Sequence, residues 1–223
     1  MHSLLKRSSK FSSFMLLLLA LPLMLEAPMV LKLWLGIVPE HTVNFLRLIL
    51  CSSMITTLSY PLVVSVHATG DLKRFQLVEG TMLLSIVPIA YMLLKLFGIK
   101  PEYVFCVHII VELFTQFARM KIVLPMIAMR IGDYLKDVVV PILKVVFIAS
   151  VLPLLLYVCL DKSITSFFIV SIISMLNVTL VAYCVGCTSS ERKNIKSLIL
   201  SKNRVIDYVS IISKNYLSTF TGQ

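Results

Sequence analysis

Residues 138–160 read VVVPILKVVFIASVLPLLLYVCL, with Lys144 the one charged side chain among them. About 20 mostly apolar residues in a helix cross the roughly 30 Å of hydrocarbon in a bilayer. The stretch therefore reads as a membrane span. Outward from it, five more apolar segments can be marked, at about 12–36, 43–67, 76–97, 101–124 and 162–186. The sequence thus predicts an all-α membrane protein of about six transmembrane helices. One transmembrane domain fills residues 1–200, and residues 201–223 form a tail expected to be poorly ordered.

Composition points the same way. Of the 223 residues, 58% are hydrophobic and 14% charged, and the mean hydropathy is +0.94. Soluble domains carry about 25% charged residues. A water-soluble fold has nowhere to hide this much apolar side chain, and six spans with short loops leave no room for a soluble domain of any size. The net charge of +10 does not point to nucleic acid. Phosphate contacts need a clustered basic surface, whereas these basic residues are scattered between apolar runs.

Their distribution sets an orientation. Fifteen of the 21 basic residues fall in four regions: the opening (Lys6, Arg7, Lys10), the turn after the second segment (Lys73, Arg74), the stretch after the fourth (Arg119, Lys121, Arg130, Lys136), and the tail. The alternate turns hold only Lys100 and Lys162. Cytoplasmic loops carry the excess of Lys and Arg, so both termini are predicted to be cytoplasmic. Lys32, Arg47, Lys95 and Lys144 lie near span ends, within snorkelling reach of headgroups. The opening imitates a secretion signal. Its apolar character runs on to Leu35, however, and Pro28 spoils the cleavage site after Ala27, so it reads as an uncleaved first span.

Residues 130–137 (RIGDYLKD) are polar with apolar gaps and suit a short interfacial helix on the inner surface before the fifth span. From Ser189 the chain reads as a basic amphipathic tail. Ile195, Leu198 and Ile199 make its apolar stripe, and Lys193, Lys196 and Lys202 face anionic lipid. Gly36, Gly70, Gly98, Gly132 and Gly186 mark the segment ends, where turns favour a residue tolerant of positive φ.

Charge within the spans is expensive, on the order of 3 kcal/mol at the bilayer centre. Glu26 lies in the first span. Glu112 lies near the middle of the fourth, with Gln116 and Arg119 four and seven positions on, so the three share one helical face. That face is expected to point into protein or a wet cavity. It is either a polar lining for a charged or sugar-bearing substrate or an internal pairing that fixes packing. Glu79 reads as interfacial, and His67 and His108 as isolated structural residues. The five cysteines, Cys51, Cys106, Cys159, Cys184 and Cys187, read as small hydrophobes, because the one CxxC has no second pair or histidine cluster to complete a zinc site. No nucleophile–base motif, Walker loop or metalloprotease motif is present. The expectation is a transporter and not an enzyme, with no cofactor and no metal. Prolines inside the runs (Pro22, Pro28, Pro61, Pro88, Pro153) favour broken helices of the kind transporters use.

A resemblance carries the reading further. Its elements are Leu31-Lys-Leu-Trp-Leu-Gly-Ile-Val-Pro-Glu-His-Thr-Val, Arg47-Leu, His67-Ala-Thr-Gly-Asp-Leu-Lys-Arg-Phe, Arg130-Ile-Gly-Asp-Tyr-Leu-Lys-Asp-Val-Val-Val-Pro and Gly186-Cys-Thr-Ser-Ser-Glu-Arg. In this order they resemble the C-terminal part of lipopolysaccharide and O-antigen type polysaccharide flippases. These belong to the multidrug/oligosaccharidyl-lipid/polysaccharide exporter superfamily. The resemblance covers roughly residues 5–200 and implies helices nine to fourteen of a two-lobed transporter in the bacterial inner membrane. It implies movement of an oligosaccharide linked to undecaprenyl diphosphate, with a further N-terminal lobe or a second copy as partner. By that reading the chain is a C-terminal fragment that does not act alone. The alternative is a non-transporting scaffold subunit of a glycan-assembly complex. Family cavities are lined by basic and polar residues, and depth and periodicity make Arg47, Glu112, Gln116 and Arg119 the candidates here.

Overall fold

The computed structural model describes residues 2–70, 72–98, 100–161, 163–194 and 196–197. These residues form helices and no strand. In chain order the helices are α1 (His2–Leu25), α2 (Ala27–Leu35), α3 (Thr42–Thr57), α4 (Tyr60–Thr69), α5 (Lys73–Leu84), α6 (Ile86–Phe97), α7 (Glu102–Met126), α8 (Ile131–Tyr134), α9 (Val140–Cys159) and α10 (Ile164–Val181). Two π-helical turns, Leu135–Val139 and Ala182–Gly186, extend α9 backward and α10 forward.

Five helical stretches are long and apolar enough to cross a membrane: His2–Leu25, Thr42–Thr69, Lys73–Leu96, Ile131–Cys159 and Ile164–Gly186. The fourth predicted segment, α7, is not among the five. It is the 25-residue helix that carries Glu112, Gln116 and Arg119.

Proline explains where the long helices break. A proline has no N–H for the carbonyl four residues back. Pro28 leaves Met24 without that donor, and the chain breaks at Glu26 between α1 and α2. Pro61 does the same for Thr57, where α3 ends, and Pro88 for Leu84, where α5 ends. Pro141 does so for Asp137, inside the first π-helical turn. In lipid each freed carbonyl needs another donor. Arg47 Nε donates to Met24 O at 2.9 Å, and Asn177 Nδ2 donates to Ala149 O, the carbonyl freed by Pro153, at 2.8 Å.

Three sequence expectations are corrected. The first span does not run as one helix over 12–36. It starts at His2, so the basic opening lies inside α1, and Lys10 is buried. The stretch 130–137 is not a separate interfacial helix. It runs on through the π-helical turn into α9, anchored by the buried Tyr134 and Val138. Gly186 does not supply a positive φ. It allows close approach, since a Cβ there would lie 2.7 Å from Phe14 Cε2 and 3.0 Å from Val145 Cγ2. The 201–223 tail, and the stripe formed by Ile195, Leu198 and Ile199, lie outside the described residues.

Packing falls into two groups. Helix α7 packs against α3, α4, α5 and α6, while α1 packs against α9 and α10 and joins the groups through α3 and α4. The apolar core, including Leu5, Leu62, Val66, Val123, Leu124, Tyr134, Val138 and Val178, gathers toward one end. Large apolar side chains such as Phe147 (77% exposed) and Val158 cover the outside, as lipid-facing surfaces do.

Both described ends of the chain meet at the core-rich end. Lys10 Nζ bonds Glu191 Oε2 at 2.6 Å, and Lys6 Nζ bonds Asp137 Oδ2 at 2.7 Å. Helix α7 spans the bundle from end to end. It starts beside the loop between α2 and α3, where Glu102 contacts His41, and it finishes where His2 Nε2 meets Ile127 O at 2.6 Å.

Candidate functional site

The polar face of α7 turns inward. Glu112, Gln116 and Arg119 are only 2%, 6% and 4% exposed. Arg119 gathers the group. Its Nη1 donates to Glu112 Oε1 at 2.6 Å and to Ser59 Oγ at 2.5 Å, and its Nε donates to Glu79 Oε1 at 2.8 Å. Ser59 sits at the break between α3 and α4 and donates to Gln116 Oε1. Thr56 Oγ1 reaches Glu112 Oε1 at 3.4 Å. Two carboxylates face one guanidinium, so the cluster carries a formal charge of −1. Such a pair is held inside only if hydrogen bonds offset its desolvation; here Arg119 has partners on α5, α7 and the α3–α4 break.

Arg47, the fourth candidate, has a different task. Its hydrogen bond goes to the Met24 carbonyl at the α1–α2 break. Glu79, Ser59 and Thr56 belong to the cluster and were not picked out by the sequence. Glu79 was legible in principle. It lies six residues, about 9 Å of helix, from the start of α5, and Arg119 lies seven residues, about 10 Å, from the end of α7. Sequential neighbours that reverse direction bring those depths level.

Beside the cluster, on the His41 side, lies a cleft of about 460 Å³ between α1, α3, α6 and α7. Ser52, Ser53, Thr56 and Thr57 offer hydroxyls to it, and Tyr60, Phe105 and His108 complete its polar and aromatic wall. Ser53, Thr56 and Thr57 donate their hydroxyl protons to carbonyls four residues back, at 2.9, 3.1 and 2.8 Å. Their oxygens therefore keep lone pairs for other donors.

A second polar layer closes the opposite end. Lys10 and Glu191 pair with side chains only 4% and 6% exposed, and Glu191 Oε2 also accepts from Thr188 N at 2.8 Å. Burial pushes the Glu191 carboxyl up, but the bonds from Lys10 and Thr188 outweigh it and hold the group below its usual range. A lowered folded pKa adds stability above the unfolded value, about 4.3 for Glu, which is lost as pH falls through the folded value. Thermal stability in detergent is accordingly expected to drop once pH falls below about 4, and Lys10→Met should flatten that part of the profile. A wild-type profile already flat there would refute the Lys10–Glu191 pairing. Nearby, burial raises the Cys187 thiol. Among the described residues no group of three or more His, Cys, Asp or Glu could hold a metal ion.

No protein-family model, no curated protein and no solved structure matches this chain.

Proposed function

We propose that this chain forms six membrane spans, α7 being the sixth, and serves as the C-terminal portion of a flippase for lipid-linked oligosaccharide. The observation that carries the reading is the hydroxyl-lined cleft, set among membrane-spanning helices beside a buried charge cluster. Pockets for small polar ligands pair a few placed polar groups with an apolar wall in this way. The six-span count draws support from Lys10 and Glu191. Their pairing brings the two ends of the described chain to one end of the bundle, as an even number of crossings would.

On this reading the chain sits in the bacterial inner membrane with both termini inside. It moves glycan linked to undecaprenyl diphosphate together with a second lobe or a second copy. Alternating access needs one bundle to rock against another, and this chain supplies one wall. Reconstituted alone in vesicles, it is expected to leave a labelled lipid-linked oligosaccharide on its original leaflet. Inserted in place of the equivalent helices of a complete flippase, it is expected to restore transport. Rapid saturable flipping by the chain alone would overturn the half-transporter reading, and an inert, well-folded chimera would overturn the flippase reading. A scaffold role is the second reading. It is favoured by one observation, the complete engagement of Arg119 by groups of this same chain.

A further inference from the structure

We infer that the cleft between α1, α3, α6 and α7 is a hydrated, anion-excluding pocket that takes a neutral, hydroxyl-rich ring such as a sugar. This deepens the flippase reading by assigning the glycan, and not the diphosphate, to this side of the transporter. Three observations lead there. Among the described residues no Lys or Arg lines the cleft, and His108 is the one basic side chain on its wall. The Arg119 guanidinium beside the cleft is already held by Glu79 and Glu112, and the three together carry one excess negative charge. Thr56 joins the two regions, facing the cleft while its hydroxyl reaches Glu112. In a low-dielectric surrounding an excess charge at that distance repels a second anion strongly.

The wall that remains suits a sugar. Ser52, Ser53, Thr56 and Thr57 present oxygens at successive turns of α3, and Phe105 adds an aromatic side chain to the wall. With three hydroxyl protons committed to the helix backbone, the oxygens act as acceptors for ligand hydroxyls. A volume of about 460 Å³ falls within the usual range for small-ligand sites.

The test places a thiol in the cleft. In a full-length chain with its five native cysteines replaced by alanine, Ser53→Cys is nearly isosteric, and Thr57→Cys provides a second position. Membrane vesicles are treated at pH 8 with a cationic or an anionic methanethiosulfonate reagent. The cationic reagent is expected to react at least about tenfold faster than the anionic one at both positions. Adding Glu79→Gln should move the ratio toward one. Phe147→Cys, on the outward face of α9, should resist both reagents. A saturating neutral disaccharide should slow modification of Ser53→Cys several-fold, and inorganic pyrophosphate should not. Equal rates for the two reagents, no reaction with either, or protection by pyrophosphate would each overturn the inference. So would a disaccharide without effect. Because none of these readings requires transport, an inert chimera with this labelling pattern intact removes the flippase reading and leaves the pocket standing.

Discussion

Arg119→Met is expected to destabilise the detergent-solubilised protein by about 3–5 kcal/mol, the usual cost of breaking a buried ion pair from one side. The substitution strands Glu112, only 2% exposed, beside the Thr56 hydroxyl at 3.4 Å, whose one proton already goes to the Ser52 carbonyl at 3.1 Å. Glu79 loses the same partner but is 21% exposed at its side chain, so it suffers less. The ranking follows directly. Glu79→Gln should cost less than Glu112→Gln, and Arg119→Met combined with Glu112→Gln should recover part of the loss, because neighbours in one network are not additive. Unfolding by denaturant in a defined micelle provides the measurement. An Arg119→Met protein within about 1 kcal/mol of wild type would show that the cluster does not hold the helices together.

The second large effect is steric. Gly186 sits where the π-helical end of α10 meets α1 and α9, and any Cβ there presses on the buried ring of Phe14 and on Val145. Overpacking of this kind costs about 1–3 kcal/mol. Gly186→Leu is expected to reach the top of that range or fail to accumulate, and Gly186→Ala the lower part. Phe14→Leu in the same chain should relieve the alanine variant, since it removes the ring atoms in the way. If Gly186→Ala melts with wild type and Phe14→Leu makes no difference to it, the close approach does not exist in the folded protein.

What the sequence made legible was mainly hydrophobic length. A run such as 138–160 has only one stable environment, and five of the six segments marked from composition fall on helices long and apolar enough to cross a membrane. The edges were less legible where polar residues enter the bundle. Lys10 reads as part of a basic cytoplasmic opening until Glu191, far along the chain, is seen to pair with it. The stretch 130–137 reads as interfacial from its charges. Tyr134 and Val138, however, bury one face of it against the core while Lys136 and Asp137 stay on the other. At the site, helical periodicity placed Glu112, Gln116 and Arg119 on one face. It did not join Glu79 to them, because Glu79 lies on another helix and only a comparison of depths along α5 and α7 links it to Arg119. Arg47 shows the same limit. Depth alone does not distinguish a side chain facing a cavity from one serving a carbonyl that Pro28 has left without a donor.

On the proposed topology α7, despite its charges, crosses the membrane and makes the count even. This topology is tested most directly by mapping with paired reporters, one active outside the cell and one inside, fused after Gly36, Gly70, Gly98, Met129 and Asp161. Six spans with cytoplasmic ends give outside at Gly36, Gly98 and Asp161, and inside at Gly70 and Met129. Gly98 and Met129 flank α7, so finding both on the same side would contradict the account.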